Sequence, residues 1–368
     1  MNEISEEKSV PTQENHSRIA FTICTTSHLP RALTLAESMA EHAPDFFFFL
    51  ILIDPLTPAV RRVISADRRI VPIDSLKFDF LEALKKRYDP AEISFLLKPF
   101  AFRYFFERFP QSRFAVYFDS DVMIYHPIRR IETFLDTHDV VLTPHLLRPY
   151  GFDGKTPNEF DTLRTGYFNM GFAAMANRPS TLRLLDWWQE RMVHHGHANR
   201  TIGLSADQFW MTFSPYYFDK IFIDHHPGMN VAYWNLHERN LSESGGMTFV
   251  NGEHPLIFFH FSGFNPQEPC HICDPLFFNR FEIARQSVLR RLSHQYAQRL
   301  LANQYRALSR VPSNWLSRSQ LLSEKYRMAR DLSTKVEYAL VYFMAKMPVC
   351  LRRRLWRLAL LFVSHTKY

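Results

Sequence analysis

The chain alternates continuous apolar runs with stretches of helical spacing. Ile19–Thr25 (I-A-F-T-I-C-T) and Phe46–Ile53 (F-F-F-F-L-I-L-I) have the length and composition of buried strands. Between them, Pro30–Ala43 carries an apolar stripe at helical spacing. The pattern next predicts a short helix at Pro58–Ser65, a weaker strand at Arg69–Ile73 and a longer helix over Glu92–Phe109, with Pro99 as a kink. F-A-V-Y-F (114–118) reads as a strand, followed by a helix near Ile128–Asp136 and a strand at Val140–Thr143. Strands apolar on both faces, alternating with helices, predict an α/β domain built on a mostly parallel sheet. Ligands of such sheets bind beyond the carboxyl ends of the strands. Thr25, Asp54 and the pair Asp119/Asp121 all fall at those ends, so one cleft can gather them.

Further along, His145–Thr165 is rich in Pro, Gly and Asp and too long for a plain connection, the kind of segment that often carries function. His145 and Asp153 within it are candidates to meet a substrate. A helix is expected at Thr181–Met192, with Trp187 and Trp188 on its core face and the histidines of H-H-G-H (194–197) at its surface end. From Phe281 the pattern is helical. Three segments are therefore expected: a disordered N-terminus (1–17), a catalytic domain (18–280) and a basic helical region (281–368).

Charge sharpens that division. The net charge of +7 conceals 17 Lys/Arg against 4 Asp/Glu from residue 281 onward, a balance of +13, on a body that is net acidic. In L-R-R-R-L-W-R-L-A-L-L-F (351–362), Leu351, Leu355, Leu358 and Phe362 share one helical face flanked by arginines, the pattern of a helix lying on an anionic membrane surface. No nucleic-acid partner is expected. No run approaches the roughly 20 apolar residues of a membrane span, and the polar N-terminus lacks a signal-peptide core. The expectation is a cytoplasmic protein, peripheral at the inner face of a membrane. Four cysteines are too few and too scattered for a disulfide framework, and the lone C-x-x-C of Cys270/Cys273 is more often a packed turn than a zinc site.

The candidate chemistry centres on F-D-S-D-V. Asp119 and Asp121 repel unless a positive charge lies between them. In an extended chain, i and i+2 share a face, which would turn both carboxylates onto one hard cation, Mg²⁺ or Mn²⁺. The competing reading is a solvated turn.

That stretch, together with Y-F-N-M-G-F (167–172), D-Q-F-W-M (207–211), N-V-A-Y-W-N-L (230–236) and F-F-H-F-S-G (258–263), resembles the metal-dependent GT-A glycosyltransferases. The nearest group is family 8, that of glycogenin and the bacterial lipopolysaccharide galactosyltransferases. The resemblance spans about residues 19–264. It implies a Rossmann-like GT-A fold and transfer of a sugar from a nucleotide-sugar, a UDP-sugar by preference, with Mn²⁺ (or Mg²⁺) as cofactor and retention of anomeric configuration. The implied acceptor is a surface polysaccharide, lipopolysaccharide or lipid-linked glycan. Residue by residue, it implies Asp119, Asp121 and His260 as metal ligands and Asp207 and Gln208 beside the sugar at the catalytic centre. Asn169 and Gly171 match the donor-sugar loop, Thr25, Thr26 and Asp54 the base and ribose end, and Ser120 and Gly263 flank the metal motifs. Lys98, rather than Arg103, would supply the cation near the diphosphate; the two are five apart and cannot share a helix face. One departure is plain: where the family often places a diphosphate-clamping lysine after H-F-S-G, this chain runs N-P-Q-E-P (265–269). The rival readings are a haloacid-dehalogenase-like phosphatase, a nucleotidyltransferase and a non-catalytic sugar-binding relative.

Overall fold

The computed structural model describes residues 17–63, 69–76, 81–199, 204–274, 278–280 and 287–313, with residues 315, 320, 323 and 335 beyond. Seven strands fill the first half of the chain: β1 (Arg18–Cys24), β2 (Phe47–Leu52), β3 (Arg69–Pro72), β4 (Phe114–Phe118), β5 (Val122–Ile124), β6 (Val140–Pro144) and β7 (Phe168–Ala176). Six of them join the Ile221–Ile223 strand in the main sheet, in the order Ile221–Ile223, β6, β7, β4, β1, β2, β3. Neighbours are parallel except at β7, which runs antiparallel to both β4 and β6. The sheet is thus mixed, and mostly parallel as the apolar runs predicted. The reversed β7 was not foreseen, because a strand buried on both faces shows no alternation that reports its direction.

Period-two alternation sorts the core into two layers. On one face, Phe21, Ile51 and Tyr117 pack against Leu97, Phe102 and Phe105 of the Pro90–Arg108 helix and Trp188 of the Pro179–His195 helix. On the other, Phe114, Val116 and Phe118 meet Leu35 and Met39 of the Leu29–His42 helix. The Pro90–Arg108 helix starts before the predicted Glu92 because Asp89 caps it: its carboxylate accepts from the Ala91 and Glu92 amides, and Glu92 returns the bond to the Asp89 amide. The helix runs through Pro99 without ending.

β5 leaves the main sheet and pairs with the Phe258–His260 strand, which also pairs with Val231–Ala232. A third core forms over this small sheet, where Phe259, Phe261 and Phe264 pack on Leu289, Leu292 and Tyr296 of the Ser287–Ala302 helix. Phe261 and Tyr296 stack at 3.9 Å. The first basic helix is therefore packed against the body, held also by Arg299 on Glu41 and Arg291 on Glu243. The 351–362 segment lies outside the described residues. Among the described residues, no helix is long and apolar enough to cross a membrane.

Candidate functional site

The first five residues of F-A-V-Y-F-D-S-D-V form β4, and the acidic residues sit just past it. Here the geometry corrects the extended-chain argument: Val122 N–H donates to Asp119 O at 3.1 Å, so Asp119–Val122 is a tight turn linking β4 to β5. The turn, and not strand register, brings the carboxylates together. Ser120, between them, lines the same cavity. Both ends are tied down, the Asp119 amide donating to Gly171 O and the Phe261 amide to Asp121 O, each at 2.8 Å. The second bond delivers His260, whose Nε2 lies 3.0 Å from Asp121 Oδ1 and 3.7 Å from Asp119 Oδ2. These three side chains offer ligand atoms within 4.8 Å of one another.

Their surroundings fit a divalent cation. Asp119 Oδ1 is taken by the Tyr117 hydroxyl at 2.6 Å and faces Lys98 Nζ at 3.4 Å, which leaves Oδ2 turned toward His260. The His260 tautomer is set from behind. Asn230 Nδ2 donates to Thr143 Oγ1 and to Asn169 Oδ1, so its Oδ1 faces His260 Nδ1 at 3.3 Å as an acceptor. Nδ1 then carries a hydrogen, so Nε2 is the nitrogen that would present its lone pair to a metal in place of a proton, the arrangement usual for metal-ligating histidines. Burial pushes the His260 pKa down, but the Asp121 and Asp119 carboxylates outweigh it and raise it. Two oxygens and one imidazole nitrogen suit Mn²⁺ or Mg²⁺ better than a soft metal.

Gly171 is required by this packing. A Cβ there would lie 2.3 Å from His260 Cε1 and 2.8 Å from Asn169 Oδ1. The ring rests directly on backbone, which only glycine permits.

The opposite wall is closed around a buried ion pair. Lys98, fully buried, reaches Asp207 Oδ2 at 2.7 Å and Met170 O at 2.8 Å besides Asp119. Burial pulls its pKa down, yet the two carboxylates prevail and raise it, so the ammonium stays charged. Arg103, by contrast, points outward to Leu182 O and Asp186. Gln208 Oε1 accepts from the Met170 amide and Asn169 Nδ2, while its Nε2 donates to Thr165 O. Asn169 also donates to His145 Nε2, whose other nitrogen faces Tyr167 O. Burial drives the His145 pKa down to about 4, so it is neutral and anchors the network without reaching out of it.

These residues line one cleft of about 730 Å³, the size of a drug-sized or nucleotide-sized ligand. Thr25, Lys98, Asp119, Ser120, Asp121, Asn169, Asp207, Gln208 and His260 all face it. Thr26 and Asp54 sit behind its far end, the Thr26 amide donating to Asp54 Oδ2 at 2.7 Å while Ser313 Oγ bonds Asp54 Oδ1 and lines the cleft in its place. Gly263 occupies a turn with φ +70°, off the cavity wall and near Cys273. Cys270 and Cys273 are free thiols away from the cleft, the first exposed and the second buried. Asp153 pairs with Arg280 at 2.9 Å. Sequence reasoning missed Tyr117, Asn230, Trp234 and Ser313. Tyr117 was within reach, because it precedes Asp119 by two; Asn230 and Trp234 lie in the N-V-A-Y-W-N-L stretch but were given no role there, and Ser313 is brought in by tertiary packing alone.

No protein-family model matches the chain. The chain is 24% identical over 245 residues to the uncharacterized protein YfnF of Bacillus subtilis (strain 168), covering 66% of this chain and 80% of that one. Among solved structures it is similar to the galactosyltransferase LgtC in complex with donor and acceptor sugar analogues, at 12% identity and a TM-score of 0.45, covering 81% of this chain and 98% of that one. It is also similar to the glycosyltransferase GlyE of Streptococcus pneumoniae TIGR4, at 12% identity and a TM-score of 0.43, covering 82% of this chain and 66% of that one.

Proposed function

We propose that this protein is a metal-dependent glycosyltransferase, moving a sugar from a UDP-sugar to a hydroxyl of a cell-surface or lipid-linked glycan with retention of configuration. The observation that carries the reading is the open Asp119/Asp121/His260 group facing a buried Lys98–Asp207 pair across one cleft at the carboxyl ends of a mostly parallel sheet. Asp119, Asp121 and His260 would hold Mn²⁺ or Mg²⁺. Such an ion, when bound, neutralises charge building on a departing diphosphate, a contribution of several kcal/mol.

The remaining work falls to side chains. Burial raises the Asp207 pKa, and Lys98 at 2.7 Å works against that rise, favouring a carboxylate next to the sugar, where positive character develops at the reacting carbon. Asn169 and Gln208 shape the sugar wall, and their mutual bonds fix it before substrate arrives, so little reorganisation is needed. Thr25, Ser120 and Ser313 present hydroxyls along the nucleotide end. The Glu159–Thr165 helix borders the open side, where an acceptor hydroxyl would enter. The 351–362 segment would add membrane-surface binding near a lipid-linked acceptor. A phosphatase of the haloacid-dehalogenase type fits less well, since its acidic pair ends the first strand of its domain and here the pair follows β4.

Hydrolysis of a panel of UDP- and GDP-sugars by the full-length protein tests the proposal. Mn²⁺-dependent release of nucleoside diphosphate from at least one donor is expected. Metal-dependent release of inorganic phosphate from phosphomonoesters, with every sugar donor left intact, would replace it with the phosphatase reading.

A further inference from the structure

The mouth of the cleft carries an apolar surface that the reaction does not use. Phe160 and Leu163, on the Glu159–Thr165 helix, are 69% and 73% exposed, and Phe152 in the preceding loop is fully exposed. Three apart on a helix, Phe160 and Leu163 share a face. The same helix turns Asp161, Thr162 and Thr165 into the cavity. It therefore has a polar inner face toward the site and an apolar outer face toward solvent, and none of its residues is buried.

This exposure is held in place. Arg280, itself buried, donates to Pro157 O at 2.6 Å, pairs with Asp153 at 2.9 Å and lies over the Tyr150 ring at 4.1 Å. Thr156 and Asn279 exchange two bonds across the same join. Asn158 caps the helix, with Asp161 bonded back to the Asn158 amide. A segment fixed this firmly presents Phe152, Phe160 and Leu163 outward when it could have folded them in.

Charge selects the occupant. Arg148, Lys155 and Arg164, in the same 145–165 segment, are exposed, and none forms an ion pair or side-chain hydrogen bond among the described residues. Of the segment's three acids, Asp153 is bound by Arg280 and the Lys155 amide and Asp161 by the Asn158 amide and turned into the cavity, which leaves Glu159 against the three outward cations. Apolar side chains in one segment with unpaired cations match the headgroup–acyl boundary of an anionic bilayer. We infer that this lip docks on an anionic membrane surface and turns the mouth of the cleft toward the bilayer. The contact is separate from the basic C-terminal region and does not depend on the glycosyltransferase reading.

Hydrogen exchange of the full-length protein, free and with vesicles of phosphatidylglycerol and phosphatidylcholine, reads the contact directly. Amides of residues 151–165 are expected to exchange at least several-fold more slowly on anionic vesicles, and less so on pure phosphatidylcholine. The combined Phe152→Ser, Phe160→Ser and Leu163→Ser variant is expected to lose that protection with its melting temperature unchanged, since all three side chains are already in water. Unaltered exchange of this segment while the protein sediments with vesicles would overturn the inference and assign binding to another surface. So would a failure to bind vesicles, protection by a soluble short-chain amphiphile but not by bilayers, or protection that tracks self-association in the absence of lipid.

Discussion

The two acidic walls of the cleft are built from the same side chains and behave oppositely. Asp119 and Asp121 stand on a turn, part-exposed, each engaging the protein through Oδ1 and keeping Oδ2 clear of hydrogen bonds among the described residues. Asp207 is buried and neutralised by Lys98 within 2.7 Å. A carboxylate that keeps free oxygens at a cavity wall can receive a ligand. One that spends its charge on a buried ammonium shapes the field around the ligand and helps hold the fold. Loss of function and loss of stability should therefore separate cleanly between the walls.

The largest expected effect is on the open wall. Asp121→Ala should cut metal-dependent turnover by roughly 10³-fold, the scale of several kcal/mol of charge stabilisation, with little change in melting. A variant that melts early and keeps its turnover would make Asp121 structural and erase the contrast. On the closed wall the order reverses. Lys98→Met leaves Asp207 buried without a partner, so it should cost about 3–5 kcal/mol of stability in a denaturant titration. Adding Asp207→Asn should recover part of that loss without restoring activity. If Lys98→Met is as stable as the parent, the pair is not the buried ion pair described here.

A smaller effect sharpens the contrast from behind the metal ligands. Gly171→Ala places a Cβ against the His260 ring, and the ring or the β7 backbone must shift. Metal affinity should fall by roughly 10–100-fold, as when the groups that orient a ligand are lost. Unchanged affinity would show that the ring's seat on β7 is not needed for ligation.

The smallest effect is a pH dependence of stability. Unfolded, His145 takes a proton below about 6.5; folded, only near pH 4, because burial disfavours its charge. Between those values the unfolded state binds more protons, so stability is fully present above about pH 6.5 and is lost as pH falls toward 4. His226, pushed down to about 4 by burial, contributes with the same sign. Thermal melts from pH 7.5 to 4.5 should show the decline, and His145→Gln should flatten part of it. An identical slope in that variant would remove His145 from the network's titration.

The sequence carried the sheet and the acidic pair well, and for one reason. Continuous runs such as F-F-F-F-L-I-L-I can be satisfied only inside a two-sided core, so their ends mark a cleft. His260 was legible through a motif, and Lys98 through the family resemblance, which asks for a cation on that helix. What stayed hidden depends on contacts far apart in the chain. Nothing local to Asn230 says that it fixes the His260 tautomer, and nothing local to Ser313 says that it covers Asp54. Gly171 was singled out as part of a sugar-binding loop, whereas the packing explains it through the imidazole above it. The 145–165 segment read as a loop, and its last turn proved to be a capped helix, because the capping box at Asn158 and Asp161 is short and lies among Pro and Gly.

The central claim is that the open wall, and not the closed one, holds a divalent ion. Titrating Mn²⁺ into the full-length protein and following free ion by electron paramagnetic resonance tests it directly. The account predicts one site per chain that is lost in Asp121→Ala and kept in Asp207→Asn. A site that survives Asp121→Ala and disappears with Asp207→Asn would contradict it.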